Sequence, residues 1–457
     1  MSAGSPESSR RGPNRRGVVQ GLAGASLLGA AAGATASLDL LAADMPAPIE
    51  IEPGALAADE AHWARVGRYF ARTEGIVNLE HGYWGRMANP VLQRYQAALA
   101  RVNQDNSFYA RRLYGPDYQY ARERVARLLG ADVEEVALTR NATEAVHNLI
   151  RQYRGLGPGD AVLLADVDYP AFKRTLSWLE QGRGVRVITL ELPPRTDAAT
   201  IEGLYADAFE QNPELKLALV THASNQHGLV LPIAAIAAHA ERRGVHLICD
   251  AAQSLGLLDF RIDDLGVDWA AFNLHKWIGA PLGLGALYMR KGSLAPIAPY
   301  PGERDPVTPD AITSDAVTPD VQKRVHTGTW DFAAAITIPA ALDFHEAVGG
   351  AAKEARLRHL RARWTSAFDG LDGLEILGAR EETDWSGMGA FRLAGRATPE
   401  DSQALQWRLQ NEFGIFTVSR YGLASGACVR VTPQVYTSVD EIDALVAALR
   451  TIVASPS

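Results

Sequence analysis

Ile248-Cys249-Asp250-Ala251-Ala252-Gln253, followed by Asn273-Leu274-His275-Lys276-Trp277, is the stretch whose reading decides the fold. Val245 to Cys249 is a short apolar run that starts after Gly244, and it reads as a buried strand. Asp250 stands at its end, where a carboxylate is costly unless it meets a partner charge. Lys276 follows 26 positions later and reads as a loop residue. A lysine beside a buried carboxylate can serve as a nucleophile and as a proton carrier. Taken singly, Asp250 reads equally well as a structural cap, and His275-Lys276 as a surface pair.

Outward from this stretch, helix-period and short apolar segments alternate from about residue 90 onward, the pattern of an α/β domain with a largely parallel sheet. Val136-Ala137-Leu138-Thr139 predicts a strand, and Thr143 to Ile150 the helix after it. Further strands are expected at Ala161 to Ala165, Val185 to Leu190 and Leu217 to Thr221. Pro232 to Arg243 predicts a helix, with Pro in its first turn and Gly244 as its stop. The Pro- and Asp-rich stretch Pro299 to Asp320 lacks periodicity and reads as a long loop, a lid or an interface arm. A long helical pattern from Ala334 to Phe368, then short strands alternating with helices, predict a smaller α+β domain.

The chain has 457 residues, 47% hydrophobic and 21% charged, with a net charge of -8, so no basic field exists to attract nucleic acid or anionic lipid. Its only cysteines, Cys249 and Cys428, make neither a disulfide framework nor a clustered zinc site, and no metal-ligand motif is found. The first 36 residues differ in character: Arg10, Arg11, Arg15 and Arg16 precede a Gly/Ala-rich run from Gly17 to Ala34, and Ala34-Thr35-Ala36 offers a small-x-small cleavage site. The pair Arg15-Arg16 is similar to a twin-arginine export signal without the usual Phe, which predicts a periplasmic or secreted protein delivered by export machinery. The apolar run is too short and Gly-rich for stable membrane insertion. The expected organisation is signal 1–36, linker 37–54, an N-terminal segment with the large domain over 55–330, and a small C-terminal domain over 331–457.

The Asp250 and Lys276 stretch resembles the class V aminotransferase family of pyridoxal 5'-phosphate (PLP) enzymes, and other motifs match in order over roughly residues 75 to 450. The resemblance implies the aspartate aminotransferase-like fold, with a large domain on a mostly parallel seven-stranded sheet. Lys276 would carry the cofactor as a Schiff base, and Asp250 would keep its pyridine nitrogen protonated, making the ring an electron sink. Thr139-Arg140-Asn141-Ala142-Thr143-Glu144-Ala145 lies where the family has its phosphate loop, at a helix start whose N–H groups and dipole suit a dianion; Ala142 and Thr143 are the implied ligands. Asn141 or Thr143 reads also as a plain N-cap. Asp168-Tyr169-Pro170 puts Tyr169 where the family usually has a His stacked on the ring. Asn225, in Ser224-Asn225-Gln226-His227-Gly228, is implied near the cofactor face, and Gln253 at its phenolic oxygen. Asn273, where the family has Ser, and His275 are implied phosphate contacts.

Gly328-Thr329 resembles the Gly-Thr that reaches the neighbouring subunit's phosphate, which implies a homodimer with Thr329 at the shared site. Arg430, in Val429-Arg430-Val431-Thr432, is the implied grip on an α-carboxylate. Asn78-Leu79-Glu80-His81-Gly82-Tyr83-Trp84-Gly85 would border the pocket, with His81 and Tyr83 on the substrate side. Within the family the chain is most similar to the isopenicillin N epimerase-like branch. The leading expectation is an aminotransferase acting on an amino-acid-like small molecule, with Lys276 moving the Cα proton. The alternatives are an amino-acid epimerase, a C–S or β-elimination lyase, and a PLP-fold binding protein without catalysis. Desulfurase chemistry needs a cysteine on a mobile loop, and both cysteines fall in expected strands.

Overall fold

The computed structural model describes residues 45–46, 51–300, 321–325 and 328–455. The expected signal segment, most of the linker and nearly all of the Pro/Asp-rich stretch lie outside the described residues. In chain order the first strands are β1 (Val77–Asn78), β2 (Val136–Thr139), β3 (Ala161–Ala165), β4 (Arg186–Leu190), β5 (Arg195–Thr196), β6 (Leu215–Thr221) and β7 (His246–Asp250). They are followed by β8 (Trp269–Asn273), β9 (Gly285–Met289), β10 (Leu374–Ala379), β11 (Gly389–Leu393), β12 (Ile415–Phe416), β13 (Val418–Arg420) and β14 (Cys428–Val431).

A seven-stranded sheet runs in the order β2-β9-β8-β7-β6-β3-β4. The ladders from β8 to β4 are parallel, and β9 is antiparallel to both neighbours, so the sheet is mixed with one reversed strand. The central strands are apolar on both faces because helices cover both; every residue of Ala161–Ala165 is buried. The helix Ala142–Gln152 starts where the Asn141 side chain accepts from the Glu144 N–H, and it packs Ala145, Val146 and Leu149 into the core under the sheet. The helix Ile233–Arg243 ends at Gly244, whose φ of 65° is the left-handed cap that glycine adopts freely.

A second sheet has the order β13-β14-β11-β10-β5. Its own core lies under the helices Pro399–Phe413 and Val439–Ala454, with Leu409, Ile415, Val429 and Leu445 buried. Two early segments join C-terminal strands: β5 pairs with β10, and β1 pairs with β12. The expected single helix from Ala334 to Phe368 is corrected to two, Phe332–Val348 and Gly350–Thr365, with a short 3-10 turn after them. Gly349, at φ 87°, breaks the run, a conformation that helix propensity on either side cannot override. The first of these helices packs on Asn89–Phe108 and Tyr114–Leu129.

β6, β7 and β8 end side by side at Thr221, Asp250 and Asn273. The crevice outside such carboxyl ends is where open α/β sheets bind ligands.

Candidate active site

A cavity of about 350 Å³ opens at those strand ends. Among its walls are Asn141, Thr143, Tyr169, Asn225, Asp250, Gln253, Asn273, His275 and Lys276, together with Tyr83, Arg420 and Arg430. Residues spread over 348 positions of sequence thus meet in one place.

Asp250 forms the floor. Its carboxylate accepts from the Ala252 N–H at 3.0 Å and makes no ion pair among the described residues. Burial pushes its pKa up, while the Ala252 N–H and the Lys276 charge act the other way. Asp168 lies behind it, fully buried, accepting from the Thr221 hydroxyl at 2.6 Å and the Ala165 N–H at 2.7 Å. Burial raises its pKa to about 7. The floor is therefore a place that favours a cation above it.

Lys276 lies in the loop after β8. Its loop is held from three sides: Gly85 N–H donates to the His275 carbonyl at 2.8 Å, Trp277 Nε1 donates to Gln253 Oε1 at 3.0 Å, and Lys353 Nζ donates to the Trp277 carbonyl at 2.8 Å. The Lys276 amine has no hydrogen-bond partner among the described residues. Burial brings its pKa down to about 8; Arg430 and Arg420 push the same way, and Asp250 and Glu80 oppose them. Gln253 Nε2 donates to the Gly82 carbonyl at 2.9 Å, so this amide both walls the cavity and ties the N-terminal segment to the lysine loop.

The opposite end is the start of the helix Ala142–Gln152. The N–H of Ala142, the other implied phosphate ligand, donates to Asn273 Oδ1 at 2.9 Å, because β8 ends directly beside the helix. Thr143 lines the cavity, and its N–H has no partner among the described residues, so the helix dipole still faces the cavity through Thr143. His275 Nδ1–H donates to the Leu284 carbonyl at 2.7 Å, and burial lowers its pKa to about 4. The neutral ring therefore points an Nε2 lone pair outward, and it donates to an anion only after taking up a proton. Tyr169 is 39% exposed on the cavity wall, its ring edge-on to Phe172 with centroids 5.3 Å apart.

Arg430, fully buried, reaches the same cavity with its guanidinium already engaged. Nη2 donates to both Glu80 oxygens at 2.7 and 2.8 Å, and Nη1 donates to the Asn225 carbonyl at 2.7 Å. Gly82 sits against this guanidinium so closely that a Cβ there would lie 2.6 Å from Nη2. Tyr83 lines the cavity and is 67% exposed. The ring of His81 turns away from this cavity, with Nε2 on the Asn78 carbonyl at 3.1 Å and its edge to Tyr436, and it lines a different depression with Arg72. Thr329 is exposed and does not line the cavity of its own chain.

Two participants, Glu80 and Arg420, were not singled out from the sequence. Glu80 is one acidic residue in the segment Asn78 to Gly85, and its pairing with Arg430 spans 350 positions. Arg420 ends β13 opposite Cys428; the cue for it is an arginine on a strand just before the turn that leads back to Arg430.

A buried carboxylate without a cation, an unbonded lysine amine and an open helix start are complementary to one small molecule that has a protonated ring nitrogen, an aldehyde carbon and a phosphate. PLP has all three, and the residues fit it. On fold and site the chain is a PLP-dependent enzyme. The family model described as Aminotransferase class-V matches residues 88–445, and the chain belongs to that family. Isopenicillin N epimerase of Amycolatopsis lactamdurans is 28% identical over 394 residues, covering 85% of this chain and 98% of that protein. Probable cysteine desulfurase 2 of Mycobacterium leprae (strain TN) is 28% identical over 348 residues, 73% of this chain and 80% of that protein. Among solved structures, a C-DES mutant with glycine covalently linked to the PLP cofactor matches with a TM-score of 0.72 at 23% identity, over 84% of this chain and 98% of that one. At that identity the last likeness speaks for the fold.

Proposed function

We propose that the protein removes the amino group of an amino-acid-like substrate in an aminotransferase reaction, with Lys276 as the single base that moves the Cα proton. The observation that carries this is the placement of Lys276, unbonded beside Asp250 with its pKa brought to about 8. An amine poised near neutrality both accepts a proton and returns it at little cost. When bound, PLP supplies the electron sink that makes the Cα hydrogen acidic. Asp250 would hold the ring nitrogen, Thr143 and its helix start the phosphate, and Tyr169 a flat face of the ring. The arginine end of the cavity sets the carboxylate, and hence the Cα hydrogen, in reach of Lys276.

The cysteines argue against the desulfurase alternative. Cys249 lies inside β7 and Cys428 inside β14; both are buried, and burial pushes the Cys428 thiol up to about 12. Neither can meet a substrate as a thiolate. An epimerase is the second reading, favoured by the likeness to isopenicillin N epimerase over 98% of its length. It needs a second acid, and Tyr169 and Tyr83 are the phenols on the cavity wall.

The reading also makes the protein a homodimer, exported by a twin-arginine-type route to the periplasm or medium; the support is the Arg15-Arg16 segment and the Gly328-Thr329 motif. The deciding experiment incubates the PLP-loaded protein with single amino acids and no keto acid. Conversion to the pyridoxamine form supports transamination. Exchange of the Cα hydrogen for deuterium with the amine retained supports epimerisation and overturns it.

A further inference from the structure

Two buried carboxylates, not one, lie under the cavity. Asp250 ends β7, and its ladder partner on β6 is Thr221, whose hydroxyl donates to Asp168 at 2.6 Å. Asp168 is fully buried and does not line the cavity, so it can act on a bound molecule only by its charge. Its Oδ2 accepts from the Ala165 N–H at 2.7 Å, and its own N–H donates to the Ala165 carbonyl at 3.1 Å, closing the turn that leads to Tyr169. Turn closure needs one acceptor, which an asparagine supplies as well. What an asparagine lacks is a proton to release.

Among the described residues, the titratable groups around Asp168 are Asp250 and Cys249 on β7, Asp166 on its own turn, Lys173 in the helix Pro170–Arg183 and Tyr205 in the helix Ala198–Gln211. Burial keeps the Cys249 thiol and the Tyr205 phenol protonated. Lys173 is the one cation of the set, and its amine donates to the Asp166 and Gly422 carbonyls at 2.7 and 3.0 Å. Asp168 and Asp250 thus share a dry place with no cation bonded to either, and like charges there resist ionising together. Burial raises the Asp168 pKa to about 7; the Ala165 and Thr221 bonds oppose the rise, and Asp250 adds to it.

We propose that Asp168 is a positioning residue acting through Asp250: it keeps a proton while the floor has no cation, gives that proton to solvent when a protonated ring nitrogen settles over Asp250, and so places a second negative charge beneath the nitrogen. This rests on the assignment of the cavity to PLP and not on the reaction proposed above, which does not enter the test. The coupling is reciprocal: if the ring's charge weakens the hold of Asp168 on its proton, loss of the proton strengthens the hold on the ring by the same factor. Binding of such a ring therefore tightens as pH rises through about 7.

The test uses pyridoxamine 5'-phosphate, which has the ring nitrogen but no aldehyde to react with Lys276, and its deaza analogue, in which CH replaces that nitrogen. Both carry the same phosphate and amine, so the ratio of their dissociation constants, measured by calorimetry on full-length protein stripped of cofactor, reports on the nitrogen. Lys276 titrates in the same range in wild type and in Asp168→Asn, so the deciding quantity is the wild-type preference for the nitrogen compound divided by that of Asp168→Asn. It should grow about fivefold from pH 6 to 8, for a coupling of about one pKa unit. The deaza analogue should bind both proteins alike. Thr221→Val removes a donor from the charged carboxylate and leaves the turn bond to Ala165, so its rise in preference should move to higher pH. A quotient that stays constant with pH, or a Thr221→Val rise at the wild-type pH, overturns the proposal.

Discussion

Lys353 Nζ donates to the carbonyl of Trp277 at 2.8 Å, one residue beyond the cavity lysine, and to His345 Nδ1 at 2.9 Å. The loop that carries Lys276 is thus held from behind by a second lysine, buried with no carboxylate in ion-pair range among the described residues. Burial lowers the pKa of Lys353 to about 7, so a neutral amine with two donated N–H bonds is the state that fits.

The pH consequence of that burial has a definite sign. The unfolded chain holds this proton up to about pH 10.4, and the folded chain gives it up near 7. Between those values the unfolded state binds more protons, so stability from this group rises with pH and is lost as pH falls toward 7. Lys353→Met removes the titration. The difference in Tm, wild type minus variant, should therefore grow in favour of wild type from pH 7 to 10; a flat difference would exclude a buried neutral lysine here.

Lys276 gives a second pH prediction, read by cofactor capture. Only the unprotonated amine attacks an aldehyde, so PLP uptake by stripped protein should accelerate about tenfold per pH unit and level off near pH 8. Glu80 and Asp250 raise this pKa, so Glu80→Gln should move the plateau to lower pH. The visible band followed by stopped flow checks both, and Lys276→Ala should show no band of the bound kind. A plateau near the ordinary lysine value would mean that the amine is solvated.

Much of the fold was legible because its strands are strongly apolar. Val136–Thr139 and Ala161–Ala165 were readable at their ends, since polar or glycine-rich turns flank them. Trp269–Asn273 and Gly285–Met289 were not picked out: short runs with Ala and Gly have no period that separates strand from helix. The cofactor end of the site, and Arg430 and Tyr83 at the substrate end, were visible as local motifs. The cluster of Glu80, Arg420 and Arg430 was not, because these three meet only through ladder register and long-range ion pairing, and the turn of His81 away from the cavity depends on packing against Tyr436.

Asn273 separates a structural from a ligand role. Its Oδ1 is the acceptor for a buried N–H of Ala142, so Asn273→Ala should cost about 1–3 kcal/mol and lower Tm. Asn273→Asp keeps that acceptor and adds a negative charge beside the helix start. It should hold Tm while weakening PLP binding, measured by the dissociation of the visible band. Unchanged PLP affinity in Asn273→Asp would place the phosphate away from Thr143.

Gly85 tests the contact between the N-terminal segment and the lysine loop. A Cβ at this position would run into the Lys276 carbonyl oxygen, a backbone atom that cannot swing aside, and the Gly85 N–H is itself bonded to His275. Overpacking of this kind costs about 1–3 kcal/mol and is relieved only by moving the loop. Gly85→Ala should therefore lower both Tm and PLP content. Gly203, inside the helix Ala198–Gln211, has open space where its Cβ would go, so Gly203→Ala should gain about 0.4–1 kcal/mol through the unfolded state and keep full PLP content. If Gly85→Ala bound PLP as wild type does, the segment around Tyr83 would not be part of the lysine's support, and its place on the cavity wall would be incidental.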